Sequence, residues 1–158
     1  MSKCFSTNLI PVPTYHTDIA TSCAPSEAFE YLARFSNAAI WDPGVLDGED
    51  LDKKTPRVGS TYRLMVRAFG RRVPLEYRIE EIDPPRRVVL KAQNATICSR
   101  DVIVVAPAPG GGSTVSYEAA LSLKGPALLL SPLVGVALRH IGDCAGAGLQ
   151  ASLDALAL

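Results

Sequence analysis

An excess of either charge is missing from this sequence: 16 lysines and arginines balance 16 aspartates and glutamates over 158 residues. A chain so balanced carries no electrostatic footprint for a nucleic-acid backbone, so no nucleic-acid partner is expected. Its basic pairs, Arg71-Arg72 and Arg86-Arg87, are short and flank turns, as solvated hairpin ends do. Metal-ligand patterns are missing too. The four cysteines, Cys4, Cys23, Cys98 and Cys144, form no C-x-x-C pair, and no two histidines sit near any of them at ligand spacing. Neither a metal nor another cofactor is expected, and the thiols read as reduced, cytosolic and partly buried. No serine has Gly-x-Ser-x-Gly surroundings, and Gly110-Gly111-Gly112 lacks the strand-to-helix setting of a phosphate loop.

Long apolar runs are scarce. The most apolar stretch, Pro126 to Leu138, has thirteen residues and contains Pro132, against the roughly 20 that a membrane-spanning helix needs. Integral membrane association is therefore not expected. Met1 to Asn8 is polar with one lysine and has no signal-type apolar core, which sets the expected location as the cytoplasm. The length suits a single domain over residues 1–158, with 1–13 as a loose tail, burying roughly 70% of the unfolded chain's surface without covalent help. A monomer or weak homodimer is expected.

What is present is a run of strands followed by one helix. Thr14 to Thr21 reads as a first strand. Pro25-Ser26-Glu27 opens a helix with the apolar stripe Ala28, Phe29, Leu32, Ala33 and Phe35. A second short helical turn runs through Asn37 to Ile40 and stops at Trp41-Asp42-Pro43-Gly44. Val45 to Lys53 is a weak strand. Thr61 to Phe69, Arg72 to Ile82, Arg87 to Gln93, Thr96 to Ala106 and Ser113 to Leu123 are stronger ones, punctuated by turns. The last alternates, with Val115, Tyr117, Ala119, Leu121 and Leu123 on one face, as a half-buried antiparallel strand does.

Ser131-Pro132 reads as the cap and first turn of a terminal helix. Its expected buried stripe is Val134, Leu138, Ile141, Ala145, Leu149, Leu153 and Leu156, with Arg139 and Asp143 facing water. Gly142, Gly146 and Gly148 weaken that helix by about 1 kcal/mol each relative to alanine, which either close approach to the sheet or a functional bend would explain. A curved sheet closed by one helix is covered only in part, and the two together enclose a cavity.

Local sequence supports a resemblance. Ala24-Pro25-Ser26-Glu27-Ala28-Phe29-Glu30-Tyr31-Leu32, Phe35-Ser36-Asn37-Ala38 before Trp41-Asp42-Pro43-Gly44-Val45, and Val58-Gly59-Ser60-Thr61-Tyr62 carry its first half. Leu75-Glu76-Tyr77-Arg78 before Asp83-Pro84-Pro85, Ser99-Arg100-Asp101, Thr114-Val115-Ser116-Tyr117, Leu123-Lys124-Gly125 and Gly142-Asp143 carry the second. Over about Tyr15 to Leu156 the chain resembles the START-like superfamily, also labelled SRPBCC, in its polyketide cyclase/dehydrase and lipid-transport branch. The resemblance implies an α+β helix-grip fold. In it a seven-stranded curved antiparallel sheet wraps a long C-terminal helix, and two short helices follow the first strand. This scaffold hosts carriers, sensors, allergens and cyclases alike, so it transfers no catalytic role.

Pocket candidates follow from strand parity. Tyr62, Leu64 and Val66 are assigned inward, as are Tyr77 with Ile79 and Tyr117 with Val115 and Leu121; Leu138 and Ile141 face them from the helix. Each tyrosine offers an apolar body and a hydroxyl that orients a ligand oxygen, or else simply packs. Trp41 either plugs the cavity or packs beneath the helix pair. Arg100 and Asp101 point to opposite faces, so one enters the cavity. An inward Arg100 would imply a ligand carboxylate or enolate, and the alternative is an outward Arg100 paired to a neighbouring strand. Candidate catalytic groups are His140, on the helix flank, and Tyr77. His16 and Asp18 share a face of the first strand, as a carboxylate-oriented imidazole or as surface residues.

The expected function is binding of a hydrophobic small molecule, a lipid, polyketide or isoprenoid-like compound, as carrier or sensor. The alternative is a polyketide aromatase/cyclase or dehydratase working by acid–base catalysis in the same cavity. An ionisable group facing the cavity discriminates between them. A weaker third reading, a protein-binding outer face, conflicts with the mixed charges Arg63, Arg67, Glu76, Arg78 and Glu80.

Overall fold

The structure is a computed structural model that describes residues 12–158. Of the expected tail, residues 1–11 lie outside the described residues. Val12 and Pro13 lead into the sheet, and the Leu121 amide donates to the Pro13 carbonyl at 3.0 Å.

Period-two alternation sets the first strand, β1 (Thr14–Thr21), which buries Tyr15, Ile19 and Thr21 and exposes His16 and Asp18. Helix α1 (Pro25–Ala33) begins with proline in its first turn, has Glu27 beside its positive end, and buries Ala28, Phe29, Leu32 and Ala33. A 3-10 turn (Phe35–Asn37) and the single-turn helix α2 (Ala38–Trp41) follow, as the sequence indicates. Six strands complete the sheet: β2 (Val45–Asp50), β3 (Thr61–Ala68), β4 (Arg71–Asp83), β5 (Arg87–Gln93), β6 (Ile97–Pro107) and β7 (Ser113–Leu123). Their order is β1-β7-β6-β5-β4-β3-β2, antiparallel throughout. Register shifts at Val45/Asp47 and Ile79/Glu81 locally bend the strands, helping the sheet to curl.

The terminal helix α3 (Ser131–Leu156) is preceded by a 3-10 segment, Gly125–Leu130. Leu130, not Ser131, caps the helix, and the Ser131 hydroxyl donates to the Leu128 carbonyl at 2.7 Å. The 3-10 segment therefore uses the hydroxyl that sequence assigns to the cap. Together these form an apolar run, Gly125–Leu156, whose length and composition match a membrane span as well as a core helix.

The buried stripe of α3 also differs from expectation. Val134, Ala145, Leu149 and Leu153 are buried, whereas Ile141 and Leu156 are 38% and 43% exposed. Glycines hold the centre of the contact face instead. A side chain at Gly142 would overlap the Tyr15 ring of β1, and one at Gly146 would sit 3.1 Å from the Tyr15 hydroxyl. One at Gly148 would overlap the Trp41 carbonyl of α2. Close approach is thus their function, against β1 for the first two and against α2 for the third.

The reading of four reduced thiols needs one correction. Cys23 and Cys144 are free, but Cys98 is disulfide-bonded. A bridge between residues distant in sequence leaves no local spacing pattern to read. Cys4 lies outside the described residues.

Alanine ordinarily stabilises a helical glycine position by about 1 kcal/mol. At Gly135, where the nearest atom is 3.9 Å away, Gly135→Ala should follow that rule. At Gly148 the sign should reverse, with Gly148→Ala destabilising by about 1–3 kcal/mol through overpacking. Urea melts of both variants check the pair.

Candidate functional site

The two halves of α3 do different things. Its C-terminal half sits tightly on β1 through the glycines, while Val134, Ala137, Leu138 and Ile141 of the N-terminal half line a cavity of about 360 Å³ against the sheet. That volume is in the range of small-molecule pockets. Leu64, Val66, Leu75, Ile97, Ala119 and Leu121 supply apolar wall from β3, β4, β6 and β7. Exposed lining residues mark the mouth: Leu133 at 65%, Phe69 at 57% and Leu130 at 42%, with Arg67 beside them.

An aromatic cluster forms one side. Tyr77 and Tyr117 line the cavity; Phe35 packs edge-on against Tyr77 with centroids 4.9 Å apart, and Trp41 packs edge-on against Tyr117 at 5.5 Å. The tyrosines are thereby fixed, and their hydroxyls are aimed differently. Tyr77 donates to Ser99 Oγ at 3.1 Å, and Ser99 reaches Asp101 Oδ1 at 3.5 Å. Tyr117 is 6% exposed, and its hydroxyl makes no hydrogen bond among the described residues.

Asp101 is the group the sequence left undecided. Alternation along β6 sends Ile97, Ser99, Asp101 and Ile103 inward, and Arg100, between them, outward. Asp101 is 2% exposed and lines the cavity, as does the half-buried Asp42 at the end of α2, whose Oδ1 accepts from the Gly44 amide at 2.7 Å. Burial, with the nearby Asp42 charge, pushes the Asp101 carboxyl up to about 8, against hydrogen bonds from Tyr77 and Ser99. Burial raises Asp42 to about 6, opposed by the Gly44 amide. Burial and the same two carboxylates push the Tyr77 and Tyr117 hydroxyls well above their ordinary range. Near neutral pH the interior thus holds neutral phenols and a carboxyl pair with different proton affinities.

The structure sorts the sequence candidates. Leu64, Val66, Tyr77, Tyr117, Leu121, Leu138 and Ile141 line the cavity. Ile79 and Val115 are buried in the core behind that wall, and Trp41 packs behind Tyr117. Tyr62 is fully buried near the Arg34–Asp50 ion pair, away from the lining. Arg100 is half-buried on the opposite face from Asp101, opposite Lys91 and Ala120, so the inward arginine is corrected to an inward aspartate. His140 is exposed on α3 outside the cavity, because the glycine contact turns that flank to solvent. His16 and Asp18 pair at 3.3 Å on the exposed face of β1. Sequence reading missed Asp42, Ser99, Phe35 and Ile97. Parity puts Ser99 on the same face as Asp101 without saying that this face is inward, and Asp42 sits in a turn with no periodicity. Among the described residues no three histidine, cysteine or acidic side chains gather into a metal site.

Comparison with known proteins agrees with this architecture. The family described as polyketide cyclase/dehydrase and lipid transport matches residues 14–157. A protein of Thermus thermophilus is similar at TM-score 0.73 and 17% identity, covering 90% of this chain and 98% of its own. The Zhui aromatase/cyclase of a Streptomyces species is similar at TM-score 0.72 and 10% identity, covering 89% and 93%. A START superfamily protein of Mycobacterium smegmatis follows at TM-score 0.69 and 11% identity, covering 90% and 98%. At such identities the likeness is one of fold. No curated protein matches in sequence.

Two predictions follow from the site. Asp101 keeps its proton in the folded state up to about 8, while an unfolded aspartate loses it near 3.8. Between those values its contribution lowers stability as pH rises. Asp101→Asn should therefore raise Tm near pH 8 by at least about 2 °C, and by less near pH 5, in paired thermal melts. Phe69 and Gly70 form the β3–β4 turn with φ of 53° and 70°, a pair of left-handed positions that suits Asn-Gly. Phe69→Asn should stabilise the protein by about 1 kcal/mol in urea titration, and a loss would show that the ring's place at the mouth outweighs the turn.

Proposed function

The chain belongs to the polyketide cyclase/dehydrase and lipid-transport family, and from that premise we propose that it binds a hydrophobic small molecule between the sheet and α3. A lipid, a polyketide or an isoprenoid-like compound fits. The observation that carries this reading is the roughly 360 Å³ cavity with predominantly aliphatic and aromatic walls. Affinity then comes chiefly from apolar area, at roughly 25 cal/mol per Å² buried, and the few polar groups set orientation.

A second reading rests on Asp42 and Asp101. An enzyme of the aromatase/cyclase or dehydratase kind needs a proton donor and acceptor within a dry pocket, and two carboxyls raised to different extents supply that pairing. In this reading Asp101 donates to a ligand oxygen, held by the Ser99–Tyr77 hydrogen bonds, and Asp42 accepts a proton from carbon. The similar fold of an aromatase/cyclase is compatible with such chemistry and assigns no substrate.

Native mass spectrometry of protein purified from its own host, with extraction of any bound compound, separates the two. The carrier reading expects a lipid-like adduct that is lost in Tyr117→Glu. The enzymatic reading expects an empty protein that converts a linear polyketone, with turnover falling by roughly 100-fold or more in Asp101→Asn and unchanged in His140→Ala. Finding neither adduct nor turnover would count against both.

A further inference from the structure

The cavity has a polarity as well as a shape. Its deep polar groups are two carboxyls and three hydroxyls: Asp42, Asp101, Ser99, Tyr77 and Tyr117. Among the described residues the one cationic lining side chain is Arg67, and it is exposed at the mouth. An inward Arg100 would have made the interior a receptor for anions; Asp101 in its place reverses this.

Tyr117 supplies the second half of the argument. Tyr117 lines the cavity and its hydroxyl has no hydrogen-bond partner among the described residues, so it has a proton to offer a ligand oxygen. We infer that the cavity takes a neutral ligand ending in a carbonyl or hydroxyl oxygen, which Tyr117 orients, and that the Asp42 carboxylate excludes a ligand carboxylate. This rests on the small-molecule reading above. A ligand carboxylate would have to shed water and lie beside like charge in a medium where such repulsion is strong. A ketone or alcohol loses far less on desolvation and gains the Tyr117 bond. Near neutral pH the like charge is that of Asp42, while Asp101 keeps its proton and adds none.

The test uses the full chain near neutral pH with Nile red as a neutral reporter. Four competitors of twelve carbons each, methyl decyl ketone, dodecanol, dodecanoate and dodecylammonium, are compared below their micelle concentrations. The ketone and alcohol should displace the dye, with dodecanoate at least about tenfold weaker. Asp42→Asn should narrow that gap, whereas Tyr117→Phe should weaken the ketone and leave dodecanoate unchanged. Dodecanoate equal to the ketone overturns the inference and leaves the small-molecule reading standing; its loss in Arg67→Gln would then place the carboxylate at the mouth. Dodecylammonium binding more tightly than the ketone also overturns it, since the site would be one for cations. Failure of the dye and every competitor to bind overturns the small-molecule reading, and this inference with it.

Discussion

The contact of Gly142 with the Tyr15 ring fixes where α3 touches the sheet, and so where it does not. A helix laid across a curved sheet meets it closely at one place. Small residues there bring the two backbones together, and Gly148 extends the contact to the Trp41 carbonyl. At the other end of the helix Leu133, Val134, Leu138 and Ile141 meet the cavity. The void is thus a product of side-chain size along a single helix. Trp41 links the two regions, since it lies under Gly148 and also holds Tyr117 edge-on.

Much of this was legible in the sequence, because it depends on local rules. The strands alternate cleanly enough that β1, β5 and β7 have the predicted limits, and the inward assignments of Leu64, Tyr77 and Tyr117 follow from the same period. The glycines of α3 also announced close approach. Less could be read where two local rules gave equal answers. Arg100 and Asp101 had to face opposite ways, but nothing in a single strand says which way is inward. The stripe on α3 was drawn from large apolar residues, and it shifted because the centre of a close contact belongs to residues with no side chain at all. His140 fell outside the cavity for the same reason.

The remaining site residues depend on assembly. Asp42 ends α2, Asp101 lies on β6 and Tyr117 on β7. Their shared cavity is created by the curl of the sheet and by the turn after Trp41. The electrostatics are just as collective: each carboxyl is raised chiefly by burial, and the Asp42 charge raises Asp101 further. Composition shows an evenly charged chain, yet the interior gathers acids while the arginine lining the cavity stays at its mouth.

Asp101 has one more consequence, and it concerns heat. Near neutral pH the native chain holds a proton on this carboxyl that the unfolded chain releases, so each unfolding event delivers a proton to the buffer. The calorimetric enthalpy then includes the buffer's own ionisation heat, and the same protein gives different values in phosphate and in Tris. The slope of that difference against ionisation heat counts protons, making one buried side chain visible to a measurement that sees no structure.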